Sequence, residues 1–439
     1  MQKKISNLII VILIFPVFSF AQDVLGIKDA VNIAMKDNHD IKIAKNNVKI
    51  AENNASVMNS GYLPTLSSNG SVSKKKEDTF VDLGGGATRE VDGAKTDAYS
   101  YGISLNYRLF DGLGRYYNYQ KFQSSYSLTE LQARAVIENT LMKLIVSYYD
   151  VAKLSSKIEN QKRTIEISNE RMTRTESQFA YGQATKLDLL RAEVDKNNDS
   201  INYMNTYREL QIAKRDFNVV LARDVRTDFK ADTVVLFGQD ILEDTMMNLA
   251  LEQNVDYLIA MQNVGIAELD KKSRRSGYMP KVDLNGGYSG NSVKSTGGAF
   301  LANEAQGYNG GLSLSWNIFD GGRTHVQVQN AKIAEENAQE QVYNQENNLM
   351  REVSNAYVNY QNLLFIMQAE LKNMQTNKLN FSYSKDKFDL GQINSIDYRK
   401  AQVDLEGSIN RYNDAKYSAK VAELQLMKLA GLFMQEVNN

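Results

Sequence analysis

Two stretches of this chain contain no helix breaker. Between Arg115 and Tyr181, and again between Arg323 and Leu390, neither Gly nor Pro occurs. Each run predicts one helix of roughly 65 residues, about 100 Å long at 1.5 Å per residue. A helix of that length needs partners along it. Val151, Ile158, Ile165, Met172 and Phe179 recur every seven residues in the first run, as Tyr360, Met367, Met374, Phe381 and Phe388 do in the second. Tyr357, Leu364 and Leu371 complete a three-four spacing there, the seam of a coiled coil. An ordinary long helical bundle would show the same heptads.

The two runs belong to a duplication. Gly61-Tyr62-Leu63-Pro64 returns as Gly277-Tyr278-Met279-Pro280, Leu109-Phe110-Asp111-Gly112 as Ile318-Phe319-Asp320-Gly321, and Phe179 to Gln183 as Phe388 to Gln392. Residues 22–230 therefore read as a first copy and 231–439 as a second. Each copy starts with a shorter helix, about Ile27 to Ser60 and Ile241 to Ser276. Each then switches to strand at Pro64 or Pro280, because Pro disfavours helix in the residue before it. After each long run a short polar segment leads to a second helix, Thr185 to Ala222 or Ser395 to Ala430. The units thus end in helical hairpins, 115–222 and 323–430, with tips at Tyr181-Gly182-Gln183 and Leu390-Gly391-Gln392.

Between switch and hairpin the pattern has period two. From Tyr99 to Leu109 the odd positions are apolar or aromatic and the even ones small or polar; Tyr308, Leu312, Leu314, Trp316 and Ile318 alternate in the same way. Strands are expected at about 62–73, 98–109, 281–290 and 307–318, with Lys74 to Asp97 and Asn291 to Gln306 as polar loops. Strands of that length, with one apolar and one polar or glycine-rich face, fit an outer-membrane barrel; a soluble sheet with one face on a core is the alternative. Four strands cannot close a barrel, and an open edge cannot stay unpaired in lipid. At least two copies must share one barrel, and three are preferred.

The N-terminus agrees with export. Lys3 and Lys4 precede an apolar run from Ile5 to Phe20 and a small-x-small site at Ser19-Phe20-Ala21, so residues 1–21 read as a secretory signal. With 51 Lys plus Arg against 52 Asp plus Glu there is no basic field for nucleic acid. The absence of Cys and the presence of only His39, with no visible partner, and His325, read as a surface residue, argue against a thiol nucleophile, a disulfide scaffold or a Cys/His zinc site. Asp82 to Gly86 does not sit at a strand-to-helix turn as a phosphate loop would.

Taken in this order, the signal, the duplicated helix-strand-strand-helix unit, the Gly-x-x-Pro switches, the Phe-Asp-Gly turns and the Gly-x-x-x-x-x-Asp tips resemble the TolC-like outer-membrane efflux proteins. The resemblance covers essentially the whole chain after the signal. It implies a homotrimer whose three chains supply a 12-stranded transmembrane β-barrel, four strands each, continued by a long periplasmic α-helical coiled-coil barrel. It also implies a periplasmic adaptor (a membrane fusion protein) docked at the tips and coupled to an inner-membrane pump. No cofactor, metal or nucleic acid is expected.

Carried over residue by residue, the resemblance makes Asp397, six after Gly391, the candidate for an acidic pore constriction, with Asp188 its counterpart after Gly182. Lys400 stands where some members have a second acidic ring, which puts a doubly acidic gate in doubt. Both aspartates also lie near helix starts, where they would serve as caps. Tyr99, Tyr107, Tyr308 and Trp316 are the candidate membrane-interface aromatics, in contact with outer-membrane lipid; core packing is the other reading of Trp316. Two functions follow. One is a passive exit duct of a tripartite efflux or type I secretion system, exporting small molecules or proteins. The other is a soluble periplasmic coiled-coil adaptor or scaffold. An enzyme lacks a nucleophile-base pair or ligand cluster at useful spacing.

Overall fold

The structure, a computed structural model, describes residues 24–82, 84–238, 241–298 and 300–438, so the expected secretory signal lies outside the described residues. In chain order the elements are β1 (Val24–Leu25), α1 (Ile27–Asp37), α2 (His39–Asn54), β2 (Thr65–Asp82), β3 (Thr88–Phe110), α3 (Gly114–Ala180), α4 (Lys186–Val220) and β4 (Lys230–Ala231). There follow α5 (Glu243–Gln253), α6 (Val255–Arg275), β5 (Lys281–Ser295), β6 (Ala302–Ser315), α7 (Arg323–Asp389), α8 (Ser395–Leu429) and α9 (Phe433–Asn438). The long helices α3 and α7 have 67 residues each, and α4 and α8 have 35 each. The breaker-free runs are therefore continuous helices. No helix among the described residues is long and apolar enough to cross a membrane.

The chain divides into two compact units, with the boundaries inside the long helices, between Thr140 and Leu141 and between Tyr360 and Gln361. The first unit holds α1, the distal part of α3, α4, the distal part of α7 and most of α8. Its buried side chains include Tyr148, Phe217 and Leu221. Here β1 pairs in parallel with β4. The Tyr148 hydroxyl lies 2.8 Å from the Leu25 carbonyl and accepts the Asp232 N–H at 2.9 Å, joining the two short strands to α3. Burial pushes this phenol up to about 12, so it stays a neutral hydrogen-bonding group at any physiological pH.

The second unit holds the four-stranded antiparallel sheet in the order β2-β3-β5-β6. Pro64 and Pro280 stand immediately before β2 and β5, each after a short 3₁₀ turn (Val57–Asn59 and Ser276–Tyr278). Tyr99, Ile103 and Leu105 share one face of β3, and the register sets Val72, Tyr288 and Leu66 beside them. Tyr288 in turn pairs with Tyr308, their ring centroids 4.8 Å apart. This face is open: Tyr308 is 89% and Leu312 68% exposed. The other face is polar, with Ser67 and Ser71 hydroxyls each 2.8 Å from those of Ser104 and Ser100, and with Arg108 bonded to Asp283 at 2.8 Å.

Three expectations change. The segment from Lys74 to Asp97 is mostly strand: β2 and β3 stay paired to Asp82 and Thr88, past a bulge between Glu77 and Thr79. β5 and β6 likewise run on to Ser295 and back from Ala302. Polar, charged residues have low strand propensity, but pairing with a neighbouring strand overrides it when neither face must be buried, and composition alone does not show it. β6 ends at Ser315, so Trp316 and Ile318 lie past the ladder. The Trp316 indole N–H instead donates to the Tyr278 carbonyl at 3.0 Å.

The shorter helices are each broken at an asparagine. Asn38 ends α1 and Asn254 ends α5, both with extended ψ. The Asn38 amide donates to the Val220 carbonyl at 2.8 Å, and the Asn254 amide to the Leu429 carbonyl at 3.0 Å. Asn254 also caps α6, its Oδ1 accepting the N–H groups of Asp256 and Tyr257 at 3.0 Å. One buried side chain thus starts one helix and satisfies the end of another. Asn254→Ala is expected to cost about 1–2 kcal/mol, read as a lower melting temperature. Asn254→Asp, which keeps the cap and loses the donor, should fall between the two.

Candidate hairpin tips and polar seam

The two hairpin tips, both in the first unit, are built alike. Gly182 and Gly391 take φ of 72°, a left-handed conformation that Gly adopts at no steric cost. Gly182 N–H bonds the Phe179 carbonyl at 3.0 Å and Gln183 N–H that of Gln178 at 2.7 Å; Gly391 and Gln392 repeat this on Phe388 and Lys387 at 3.0 and 2.8 Å. These are Schellman turns, which satisfy the last carbonyls of α3 and α7. Tyr181 and Leu390 beside them are 82% and 73% exposed, and Gln392 is exposed as well.

The helices that leave the tips start differently. Thr185 caps α4 in a capping box with Asp188, whose carboxylate lies 2.6 Å from the Thr185 hydroxyl and 3.1 Å from its N–H. The hydroxyl first and then the backbone N–H hold this carboxyl below its ordinary range. In α8 the cap is Asn394, whose Oδ1 accepts the N–H groups of Ile396 and Asp397. Asp397 therefore supplies only its backbone to the cap. Its side chain is exposed, as is that of Lys400 one turn on.

Arg174 of α3 ties the tips together. Its guanidinium bonds the Asp389 carboxylate at 2.5 Å and the carbonyls of Phe388 and Asp389 at 3.0 and 2.8 Å. It lies 4.7 Å from the centroid of the Phe388 ring, which stacks on Tyr398 at 4.6 Å. A cation on the last carbonyls of α7 satisfies them and complements the helix dipole. One turn back along α3, Arg171 lines a cavity of about 610 Å³ together with Leu187, Asp188, Val194, Ile396 and Arg399, among others.

Above the tips the packed face of α3 is polar. Of the expected seam, Val151 and Ile158 are buried, but Ile165 and Met172 are half-exposed and Phe179 is exposed. The buried positions are Gln161, Thr164, Ser168, Arg171 and Thr175. The packed stripe is thus rotated off the apolar heptad onto polar neighbours, because α4 and α8 present partners for them. Asp199 of α4 accepts two bonds from Arg399 of α8, at 2.6 and 2.7 Å, and one from the Ser168 hydroxyl at 2.5 Å. Gln402 donates to the Thr164 carbonyl at 3.1 Å, and Arg171 bonds Asp195 at 2.5 Å. Burial opposes the Arg399 charge, but Asp199 and Asp195 outweigh it and keep the guanidinium protonated. Glu406 has the weaker position: burial, then the charge of Asp199, push its carboxyl up.

Sequence reasoning missed Arg174, Asp199 and Arg399. A trace of them was readable, since Gln161, Ser168 and Thr175 are themselves seven apart. The other candidates are in unit two, where Tyr99 is exposed and Tyr107 half-buried opposite Leu284. Among the described residues no group of three or more His, Asp or Glu could hold a metal ion.

Removing one partner of a buried, hydrogen-bonded ion pair leaves the other uncompensated, at a cost of about 3–5 kcal/mol. Arg399→Gln should therefore destabilise the first unit strongly, and Arg399→Gln with Asp199→Asn should recover a large part. Amide exchange along α4 and α8 measures both; additive losses would show that the two side chains do not act as a pair.

Comparison with known proteins fits this geometry. The family model described as "Outer membrane efflux protein" matches residues 30–221 and 246–432. The chain is 20% identical over 399 residues to outer membrane efflux protein BepC of Brucella suis, covering 91% of this chain and 83% of that protein. In fold it is similar to a membrane protein from Pseudomonas aeruginosa (TM-score 0.76, 18% identity, 92% and 90% of the two chains). It is also similar to the CmeC outer membrane channel of Campylobacter jejuni (TM-score 0.75, 17% identity, 94% and 89%). The family model and BepC are both described as outer membrane efflux proteins, which sets the soluble-scaffold reading aside. Matched through both helical hairpins and both strand pairs, the chain belongs to the outer membrane efflux protein family.

Proposed function

We propose that three copies of the chain close one twelve-stranded barrel in the outer membrane and one helical tunnel in the periplasm, forming the passive exit duct of a tripartite efflux system. The observation that carries this reading is the sheet itself. Within the chain β2 and β6 each have a single hydrogen-bonded neighbour, so two edges are open beside an exposed apolar face. In hydrocarbon an unpaired backbone group costs several kcal/mol, and pairing β2 of one copy with β6 of the next removes both edges. A head-to-tail contact of this kind closes a ring. The equal helix pairs and the matched Asn38 and Asn254 ties support two copies of one unit, 22–230 and 231–439. Tyr99, Tyr107, Tyr308 and Trp316 would then meet the lipid interface, with Pro64 and Pro280 as the switches between helix and strand.

The tips supply the gate in this reading. Asp397, exposed and free of its cap, is the better constriction candidate, with Lys400 beside it; Asp188 is already engaged by Thr185. Tyr181, Gly182, Gln183, Leu390, Gly391 and Gln392 are the proposed contacts for a periplasmic adaptor coupled to an inner-membrane pump, which would supply the energy. A chain with two long hairpins and no chemistry of its own conducts by diffusion once the tips part.

The native mass of the protein extracted in detergent from outer membranes tests the assembly: three chains are expected, and a monomer would overturn it. Asp397→Ala should raise single-channel conductance or weaken block by divalent cations, whereas an unchanged channel would reject the constriction.

A further inference from the structure

Toward the hairpin ends of the sheet, the face that carries Tyr99, Tyr101 and Ile103 changes from apolar to basic. The register continues that face through Lys74 and Lys76 on β2, Asp97 and Lys95 on β3, and Lys294 on β5. Lys76 stands directly opposite Lys95, and Lys74 and Lys294 flank Asp97 in one cross-strand row. With strands about 4.8 Å apart and alternate residues about 6.8 Å along a strand, the four lysines occupy a patch about 10 Å across. All four are exposed, and among the described residues none forms an ion pair within 4.0 Å.

Asp97 accounts for Lys74 and Lys294 as opposite-charge cross-strand neighbours, but nothing in the sheet accounts for Lys76 set opposite Lys95. Like charges placed directly opposite on one face destabilise a strand pair. Lysine on an edge strand guards against mispairing, which would suit β2, but β3 and β5 are interior strands. Immediately below the lysines come Val72, Tyr99 and Tyr101, so the charged patch borders the apolar band. Lysines set at the rim of a membrane-facing band attract anionic headgroups, and ammonium groups bond phosphate oxygens by charge-assisted hydrogen bonds.

We infer that Lys74, Lys76, Lys95 and Lys294 form a binding site for the phosphate groups of a phosphorylated glycolipid in the outer leaflet, whose acyl chains lie on the apolar face beneath. The inference rests on the barrel reading above: with the helices in the periplasm, the β-hairpin ends at the other end of the strands face outward. Lys75, between Lys74 and Lys76, points to the other face and takes no part.

The test uses the full chain purified in neutral detergent and incubated with lipid A, with bound lipid counted by native mass spectrometry. The wild type should retain lipid A. A variant carrying Lys74→Gln, Lys76→Gln, Lys95→Gln and Lys294→Gln should retain at least tenfold less at unchanged channel conductance, which certifies its fold. Lys75→Gln should behave as wild type, and replacing all four lysines by Arg should preserve retention. Equal retention by the fourfold Gln variant would overturn the site. Complete displacement of lipid A by millimolar inorganic phosphate would overturn it in favour of a free-anion site. A wild-type chain that does not oligomerise in the outer membrane would instead overturn the barrel on which the inference rests.

Discussion

Every backbone polar group withdrawn from water must find a partner, and that requirement organises this chain. Inside the long helices it is met residue by residue. At the hairpin tips it is met by Schellman turns, by the Thr185 and Asn394 caps, and by Arg174 on the last carbonyls of α7. At the breaks near Asn38 and Asn254 a side-chain amide reaches the end of another helix. In the four-stranded sheet the outer edges of β2 and β6 have no such solution within one chain. A sheet with an exposed apolar face and two open edges is an incomplete object, and the proposed assembly would complete it.

The distal helices pose a second problem. A tunnel built of coiled helices would be most stable with an apolar seam, yet α3 buries Gln161, Thr164, Ser168, Arg171 and Thr175. A satisfied polar network fixes which side chains meet, and here Asp199 is bonded by Arg399 and Ser168 together. Such a contact has narrow geometry. Sliding α8 along α3 and α4 would break several charge-assisted bonds at once, while an apolar seam tolerates small slips. A polar seam would therefore suit the proposed duct, whose helices would have to hold one register and yet be able to leave it.

Much of this was legible beforehand, and the reasons differ by element. The 67-residue helices were readable because breakers are absent, and the sheet because Tyr99 to Leu109 alternates strictly. The strand lengths were not, since Lys74 to Asp82 is as polar as a loop and pairs only because β3 returns beside it. Asn38 and Asn254 gave no periodic signal; each breaks a helix because a carbonyl from a distant helix lies within reach. At the tips, both glycines were marked by sequence. The difference between Asp188, held in a capping box, and Asp397, exposed beside an asparagine cap, depends on the single exchange of Thr185 for Asn394.

What the sequence determined by itself is what local physics dictates: where helix can run unbroken, where Pro ends it, where Gly turns the chain, and which strand residues share a face. What only the tertiary structure decided is which face of each helix is packed and which charges meet. Arg399 and Asp199 are 200 residues apart and lie on α8 and α4, packed against a face of α3 that its apolar heptad does not mark. No local pattern encodes a pairing between side chains brought together by two separate hairpins, because its energy exists only once both have folded.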